Sequence, residues 1–302
     1  MKQHTLKRRY SFSGNGLHTG KYGKMTVCPA GVDEGIYFVR TDVSPEVTVP
    51  ALAENISNTA RSTTISAGGV NVVTIEHIMS ALSGLGVDNA RIELEGEEVP
   101  ILDGSTRPYV EAFCADGLVA QDAERRYVQI PHVIEVNDPQ SGAYVRMEPA
   151  DVPSIDLTVD FGSRVLGVQS VHWDEAVDYA TQIGPCRTFV FFHEIAYLAQ
   201  KGLVKGGDVD NAIVIVEHPV TDEQVGLICD LLQKPRLAVT DSGYLNNLEL
   251  RFPDECGRHK LLDLIGDLRL AGGYLRAKVT AFKSGHTINS LATKAVREAV
   301  KN

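Results

Sequence analysis

The chain has 302 residues, 43% of them hydrophobic, and carries 39 acidic against 29 basic side chains for a formal net charge of −10. A chain of about 300 residues buries roughly three-quarters of its unfolded surface, so neither a disulfide nor a metal is needed merely to fold, and the length suits about two domains or one large one. The acidic balance excludes a non-specific nucleic-acid surface, which requires clustered Lys and Arg, while an anionic small molecule needs only a local basic pocket.

The five cysteines, Cys28, Cys114, Cys186, Cys229 and Cys256, are odd in number and widely spaced, with no C-x-x-C pair. That spacing argues against a disulfide framework and an all-cysteine zinc site, and for reduced thiols. The basic start MKQHTLKRRYSF is followed by no apolar h-region, and no stretch approaches the roughly 18 apolar residues of a membrane span. The expectation is a cytoplasmic protein that meets any lipid through a groove.

In chain order, the first half reads as short strands punctuated by glycine and proline. Residues 25–29, 35–40 and 47–51 are predicted strands. Residues 74–85 are a predicted helix, because Ile75, Ile78, Met79, Leu82 and Leu85 recur at helical spacing; Thr74 reads as its N-cap, and Gly84 and Gly86 as its end. A strand over 90–94 and a helix over 107–114, with Pro108 near its start, come next. The polar run 121–126 is the candidate boundary between a first domain, 1–124, and a second, 125–302. Strands follow at 127–136, 143–149 and 154–161. After them come a helix over 194–200, a strand over 212–216, helices over 222–232 and 257–270, a strand over 274–282 and a closing amphipathic helix over 288–300.

A weak repeat runs through this order. EHIMSALSGLGVDNARIEL and RHKLLDLIGDLRLAGGYLRAKV both read helix, glycine turn, strand, and each helix opens near a histidine, His77 or His259. The repeat points to a duplicated α+β fold; a chance match between two common helix–turn–strand units is the alternative.

Three elements carry possible chemistry. HKLLDLIGD places His259, Asp263 and Asp267 on one helix face. The rest of that helix is mostly apolar, so the polar stripe is buried or lines a cleft, and buried carboxylates need a partner, a hydrogen bond or a cation. An exposed stripe on an ordinary amphipathic helix remains the alternative. TIEHIMSA sets Glu76 beside His77 in the first turn of a helix, whose dipole favours an ionised carboxylate. Metal-assisted hydrolysis uses such a neighbour as a base toward water; a capping carboxylate is the alternative. Two histidines and one aspartate leave a fourth zinc position open, as catalytic zinc sites do. In FKSGHTIN, Gly285 reads as a residue freeing the backbone, and His286 as a loop histidine at a strand rim able to act as an acid; a surface histidine is the alternative. Asp267 is placed to orient a histidine from elsewhere. His4, His132, His172, His193 and His218 have no matching partner spacing; His18, in GNGLHTG, lies in a glycine-rich stretch that could approach a ligand but lacks the P-loop Lys-Ser/Thr of a phosphate cradle.

TLKRRYSFSGNGLHTG, TIEHIMSALSGLGVDNA, EVPILDGS, RTF, KGGDVDNAIV, HKLLDLIGDL and FKSGHTIN stand in one order along nearly the whole chain. In these motifs the chain resembles the zinc-dependent UDP-3-O-acyl-N-acetylglucosamine deacetylases of lipid A biosynthesis in Gram-negative bacteria. The resemblance implies two similar β-α-α-β sandwich domains packed through their helices, with a small insertion in each. It implies Zn2+ held by His77, His259 and Asp263, with Glu76 as general base and His286 as general acid. Asp267 would be the charge partner of His286, and Thr188 would help stabilise the oxyanion. Lys260 and Phe189 would meet the substrate, an acylated UDP-sugar; Gly206 and Gly207 in KGGDVDNA read from the residues as a tight turn able to stand at a ligand rim and bind substrate, with a plain strand-entry turn as the alternative. The second insertion, about 188–216 with Phe189, Phe191, Phe192, Ile195, Tyr197 and Leu198, would form a passage for the acyl chain. The segment 217–257 is longer than in most members and resembles the version in members fused to a hydroxyacyl-carrier-protein dehydratase. Either the protein has one function or the chain is the front part of a longer one, with that dehydratase domain as its fused partner.

Overall fold

The computed structural model describes residues 1–200, 205–208, 210–231 and 235–301. Residues 201–204 and 209 and the side chain of Leu198, all in the expected passage segment, lie outside the described residues, as does Leu232 at the end of a predicted helix.

The first half runs β1 (Lys2–Leu6), β2 (Tyr10–Asn15), β3 (Tyr22–Pro29), β4 (Ile36–Arg40), β5 (Val47–Pro50), a 3-10 turn at Ala53–Asn55, β6 (Ile56–Asn58), β7 (Thr64–Ala67), β8 (Val70–Val72), α1 (Glu76–Leu85), β9 (Ala90–Glu95), α2 (Arg107–Asp116) and β10 (Leu118–Glu124). The second half runs β11 (Tyr127–Gln129), β12 (Ile134–Asp138), β13 (Ala143–Pro149), β14 (Ser154–Asp160), β15 (Val168–Asp174), α3 (Tyr179–Gln182), β16 (Phe189–Phe191), α4 (Phe192–Gln200), β17 (Ile213–Ile215), α5 (Asp222–Leu231), α6 (Glu255–Leu268), a 3-10 turn at Arg269–Ala271, β18 (Tyr274–Phe282) and α7 (His286–Ala299).

The fold is α+β, and the two halves share one sheet topology. The first sheet has the order β2-β3-β9-β4-β5 and the second the order β12-β13-β18-β14-β15, with β11 added beside β18. In both, the central strand is antiparallel to one neighbour, β3 or β13, and parallel to the other, β4 or β14. The repeat read from two helix–turn–strand segments therefore extends to the order and direction of five strands. Alternation builds each inner face: Ile155, Leu157 and Val159 of β14 and Ala277, Val279 and Ala281 of β18 point into the core against Leu261, Leu264 and Ile265 of α6. The first half has its own core, centred on Met25, Phe38, Ile78, Leu82 and Ile92. The segment after Thr188 forms a smaller lobe, in which β16 pairs with β17 and Phe192 and Ile195 pack against Val214, Val216 and Val225.

α1 and α6 lie face to face, and one glycine permits it. A Cβ on Gly266 would stand 2.1 Å from the carbonyl oxygen of Glu76 and 3.1 Å from the backbone nitrogen of Ser80. The backbone of α6 thus rests directly on the first turn of α1, with nearly every α6 residue buried. This contact brings Glu76 and His77 up to Asp263 and Asp267.

Several local expectations are corrected. Thr74 is not an N-cap: its φ of 60° is left-handed, whereas a capping residue is extended, and its hydroxyl donates to Glu98. Gly86 ends α1 in a left-handed conformation, but Gly84 lies inside the helix, where the Tyr179 ring occupies the space a side chain would need. Within the polar run 121–126, residues 121–124 extend β10, which pairs antiparallel with β1. The strand expected over 127–136 is broken around Pro131, which has no N–H for a ladder. Gly285 has φ −158°, ordinary extended backbone, and the left-handed residue nearby is Lys283 at φ 52°. His286 is the first residue of α7 and is buried, not a loop histidine at a rim.

Candidate metal and catalytic site

α1 supplies Glu76 and His77 from its first turn, while α6 supplies His259, Asp263 and Asp267 from successive turns of one face. All five side chains are buried. His77 Nε2 lies 3.8 Å from Asp263 Oδ1 and His259 Nε2 lies 3.5 Å from the same oxygen. The imidazoles meet edge to face with centroids 5.1 Å apart. One ligand atom from each of the three residues lies within 4.8 Å of the others, an arrangement able to hold a metal ion. Asp263 Oδ1 is buried without a hydrogen-bond partner, a costly state for a carboxylate unless a cation meets it. Its other oxygen accepts from Lys260 Nζ at 2.7 Å. His259 Nδ1 lies 3.1 Å from the Cys186 carbonyl oxygen. That acceptor fixes the proton on Nδ1 and turns the Nε2 lone pair toward Asp263 and His77.

A second group adjoins the first. Glu76 Oε2 accepts from the Thr63 backbone N–H at 3.0 Å, and Oε1 faces His286 Nε2 at 3.8 Å. His286 Nδ1 donates to Asp267 Oδ2 at 3.0 Å. Asp267 is held in turn by the Thr63 hydroxyl at 2.6 Å and the Asn289 side-chain amide at 2.9 Å. One imidazole nitrogen is therefore tied to a carboxylate, and the other looks toward Glu76 and Asp263.

The electrostatics separate these groups. Burial pushes the Glu76 carboxyl up to about 7, against the pull of His286. Burial holds His77 down at about 3, reinforced by His259, and burial likewise lowers His259. Both imidazoles are thus neutral near pH 7, the form that ligates a metal. Burial opposes ionisation of Asp263, but His259, Lys260 and the other nearby histidines outweigh it and hold the carboxyl well below its usual range. Burial also disfavours a charged His286, yet Asp267 and Glu76 outweigh it and raise the imidazole to about 9. A carboxyl and an imidazole of opposite poise face each other across less than 4 Å.

A cavity of about 290 Å³ opens over both groups. The buried Glu76, His77, His259, Asp263 and His286 form its floor beside Lys260; Leu17, Thr188, Phe189 and Phe191 also line it, and the solvent-accessible Arg61, Phe161 and Glu194 mark its mouth. Thr188 is fixed by its backbone, which donates to Gly104 and accepts from Ile213. Lys260 Nζ sits 5.6 Å from the centroid of the Phe189 ring. Phe161, Phe189 and Phe191 form an aromatic cluster with centroid separations of 5.4 to 6.3 Å. A larger cavity, about 570 Å³, lies at the C-terminal end of α1 beside Trp173, Arg269 and Tyr274, away from the five clustered residues.

Of the residues singled out from sequence, Glu76, His77, Thr188, Phe189, His259, Lys260, Asp263 and His286 line the smaller cavity, with Asp267 directly behind His286. Gly207 is not among the lining residues; its neighbour Gly206 packs on the Gly16 carbonyl of the first half. Of the expected passage residues, Phe189 and Phe191 reach the cavity, Phe192 and Ile195 are turned into the small lobe, and Tyr197 is exposed. Sequence reading missed Thr63, Arg61, Phe161 and Glu194, which stand in no periodic pattern with the ligands. His18, whose glycine-rich stretch reads as able to approach a ligand, is not among the residues lining the cavity, and burial lowers its pKa.

The family model described as UDP-3-O-acyl N-acetylglycosamine deacetylase (LpxC) matches residues 3–231 and 223–298. The chain belongs to this family. It is 40% identical over 300 residues to the bifunctional enzyme LpxC/FabZ of Porphyromonas gingivalis and 41% identical over 290 residues to that of Chlorobaculum tepidum. Those alignments cover 99% and 95% of this chain, which spans 65% and 62% of the two relatives' lengths. It is also 39% identical over 306 residues to the UDP-3-O-acyl-N-acetylglucosamine deacetylase of Saccharophagus degradans, covering all of this chain and 91% of that protein.

Proposed function

We propose that this LpxC-family chain is a zinc-dependent amidohydrolase that removes the N-acetyl group from UDP-3-O-(3-hydroxyacyl)-N-acetylglucosamine and releases acetate, the committed step of lipid A biosynthesis in Gram-negative bacteria. The observation that carries this reading is the bare Asp263 oxygen between two neutral imidazoles, beside a carboxyl–imidazole pair. Two nitrogens and one carboxylate oxygen suit zinc and match the donor count of catalytic sites. His77, His259 and Asp263 would hold the ion. Zinc bound there supplies Lewis-acid chemistry, drawing charge from a carbonyl oxygen and making water easier to deprotonate.

The chain's own residues supply the proton transfers. Thr63 fixes one oxygen of Glu76 and leaves Oε1 toward the cavity, where it takes a proton from the attacking water. Asp267 holds His286 through Nδ1, so the proton His286 delivers to the departing sugar nitrogen comes from Nε2. The raised pKa keeps that proton in place at neutral pH. Thr188, which lines the same cavity, would donate its hydroxyl to the oxyanion. Lys260 braces Asp263 and meets the substrate from the same floor. Phe161, Phe189 and Phe191 give the acyl chain an apolar wall.

We further assign residues 1–124 and 125–302 to two domains that share the site, with the duplicated topology in support. Among the described residues no helix is long and apolar enough to cross a membrane, which fits the cytoplasmic placement we propose. Similarity to the bifunctional relatives supports a dehydratase domain as a fused partner in a longer parent chain. The test is turnover of the acylated UDP-sugar across defined acyl lengths, with unacylated UDP-N-acetylglucosamine as control. The acylated substrate is expected to be strongly preferred, and preference for the unacylated sugar would refute the acyl wall.

A further inference from the structure

Arg61 has no part in the chemistry above, yet it is held at the mouth of the site. It lies in the loop between β6 and β7. On one side of it, the Thr59 hydroxyl meets that of Thr287 at 2.9 Å, at the start of α7. On the other, Thr63 bonds both Glu76 and Asp267. The loop is thus pinned on one side of Arg61 to α7 beside His286 and on the other to Glu76 and Asp267, and Arg61 itself has a φ of 69°, a left-handed conformation that side-chain-bearing residues rarely adopt. Such outliers persist where the surroundings enforce them, commonly at ligand sites.

The side chain reaches across the mouth to the small lobe. Its two terminal nitrogens bond the two oxygens of Glu194, at the start of α4, at 2.7 and 3.3 Å. Both partners line the cavity, and both retain solvent access, at 43% and 27% of their side-chain surface. An ion pair so exposed is weak and readily exchanged. Lys260, the other permanently charged cation of the lining, is committed to the ligand carboxylate Asp263. A guanidinium has five donors in a planar fork, suited to bidentate contact with phosphate, and Glu194 engages two of them.

Resting on the functional reading above, we propose that Arg61 is a substrate-binding residue: its guanidinium leaves Glu194 to take the diphosphate of the nucleoside-diphosphate sugar. The Arg61–Glu194 contact is the resting form of a clasp between the two halves of the chain. The aromatic wall receives the apolar part of the substrate and Arg61 the anionic part. This is how a protein of net charge −10 admits a diphosphate.

The experiment compares the zinc-loaded parent with Arg61→Gln and Arg61→Lys. It measures binding of UDP and of uridine calorimetrically, and kcat and KM for the acylated UDP-sugar. Arg61→Gln is expected to weaken UDP binding and raise KM by roughly tenfold or more, with kcat within about twofold of the parent. Uridine affinity should stay unchanged, and Arg61→Lys should recover part of the UDP affinity. UDP affinity within about twofold of the parent in Arg61→Gln, or an equal loss of uridine affinity, overturns the assignment while leaving the deacetylase reading intact. A parent that binds no UDP and turns over no acylated UDP-sugar overturns both. The half-exposed side chain makes misfolding of these variants a minor concern, and a thermal melt checks it.

Discussion

Gly266→Ala tests how the site is assembled while leaving every side chain that lines it unchanged in identity. The added Cβ would lie 2.1 Å from the Glu76 carbonyl oxygen, and ordinary contact begins at 3.4 Å. The backbones of α1 and α6 must therefore part by about 1.3 Å, since the obstruction is main chain and cannot swing away. Overpacking a buried contact in this way costs about 1–3 kcal/mol, which lowers Tm by roughly 2–4 °C per kcal/mol in a chain somewhat shorter than this one. The larger effect falls on function. His77 rides on α1 and Asp263 on α6, so the same movement stretches the His77–Asp263 separation beyond its 3.8 Å. A misplacement of about 1 Å costs on the order of 10²-fold in rate. The assay pairs a thermal melt with zinc content and kcat/KM. Gly285→Ala is the control, because its backbone is extended and a Cβ there meets nothing within 4 Å. Gly285→Ala should match the parent, and Gly266→Ala should lose stability, zinc affinity and rate together. Parent-like kcat/KM in Gly266→Ala would refute the idea that this helix contact sets the geometry.

The pH profile of kcat/KM should be bell-shaped. Glu76 must be ionised to accept a proton, so activity falls as pH drops through its value of about 7, and a bound cation moves that limb lower. His286 must be protonated to donate, so activity falls as pH rises through its value of about 9, again moved lower by a cation. A profile flat from pH 5 to 10 would remove both assignments. Asp267→Asn removes the largest influence that keeps His286 charged. It should shift the alkaline limb down by roughly one pH unit or more and lower kcat with little change in KM, and an unmoved limb would show that Asp267 does not set the charge on His286.

The α+β class and the duplication were legible because they rest on local patterns. The helix period around Ile78, Met79 and Leu82 and the one-face spacing of His259, Asp263 and Asp267 survive in the structure as α1 and α6. Less legible was whatever depends on distant segments meeting. Gly266 looks like any helix glycine until the first turn of α1 is laid on it. Thr63 and Arg61 come from a loop with no period of its own, and only the folded chain shows them bonded to Glu76, Asp267 and Glu194. Aromatic content near Phe189 could not say which rings face a cavity; β16 sends Phe189 and Phe191 to it, while Phe192 and Ile195 turn into the lobe. Thr74 illustrates the opposite error, a residue of capping type whose left-handed backbone and bond to Glu98 give it another job.

The most direct test of the zinc deacetylase reading measures zinc bound and acetate released on the same samples of parent, His259→Ala and Glu76→Gln. The parent should hold about one zinc per chain and release acetate from the acylated UDP-sugar. His259→Ala should lose both, and Glu76→Gln should keep its zinc while turnover falls by roughly 10²–10⁴. A parent that holds no zinc at neutral pH, or a Glu76→Gln protein with undiminished turnover, would contradict the account.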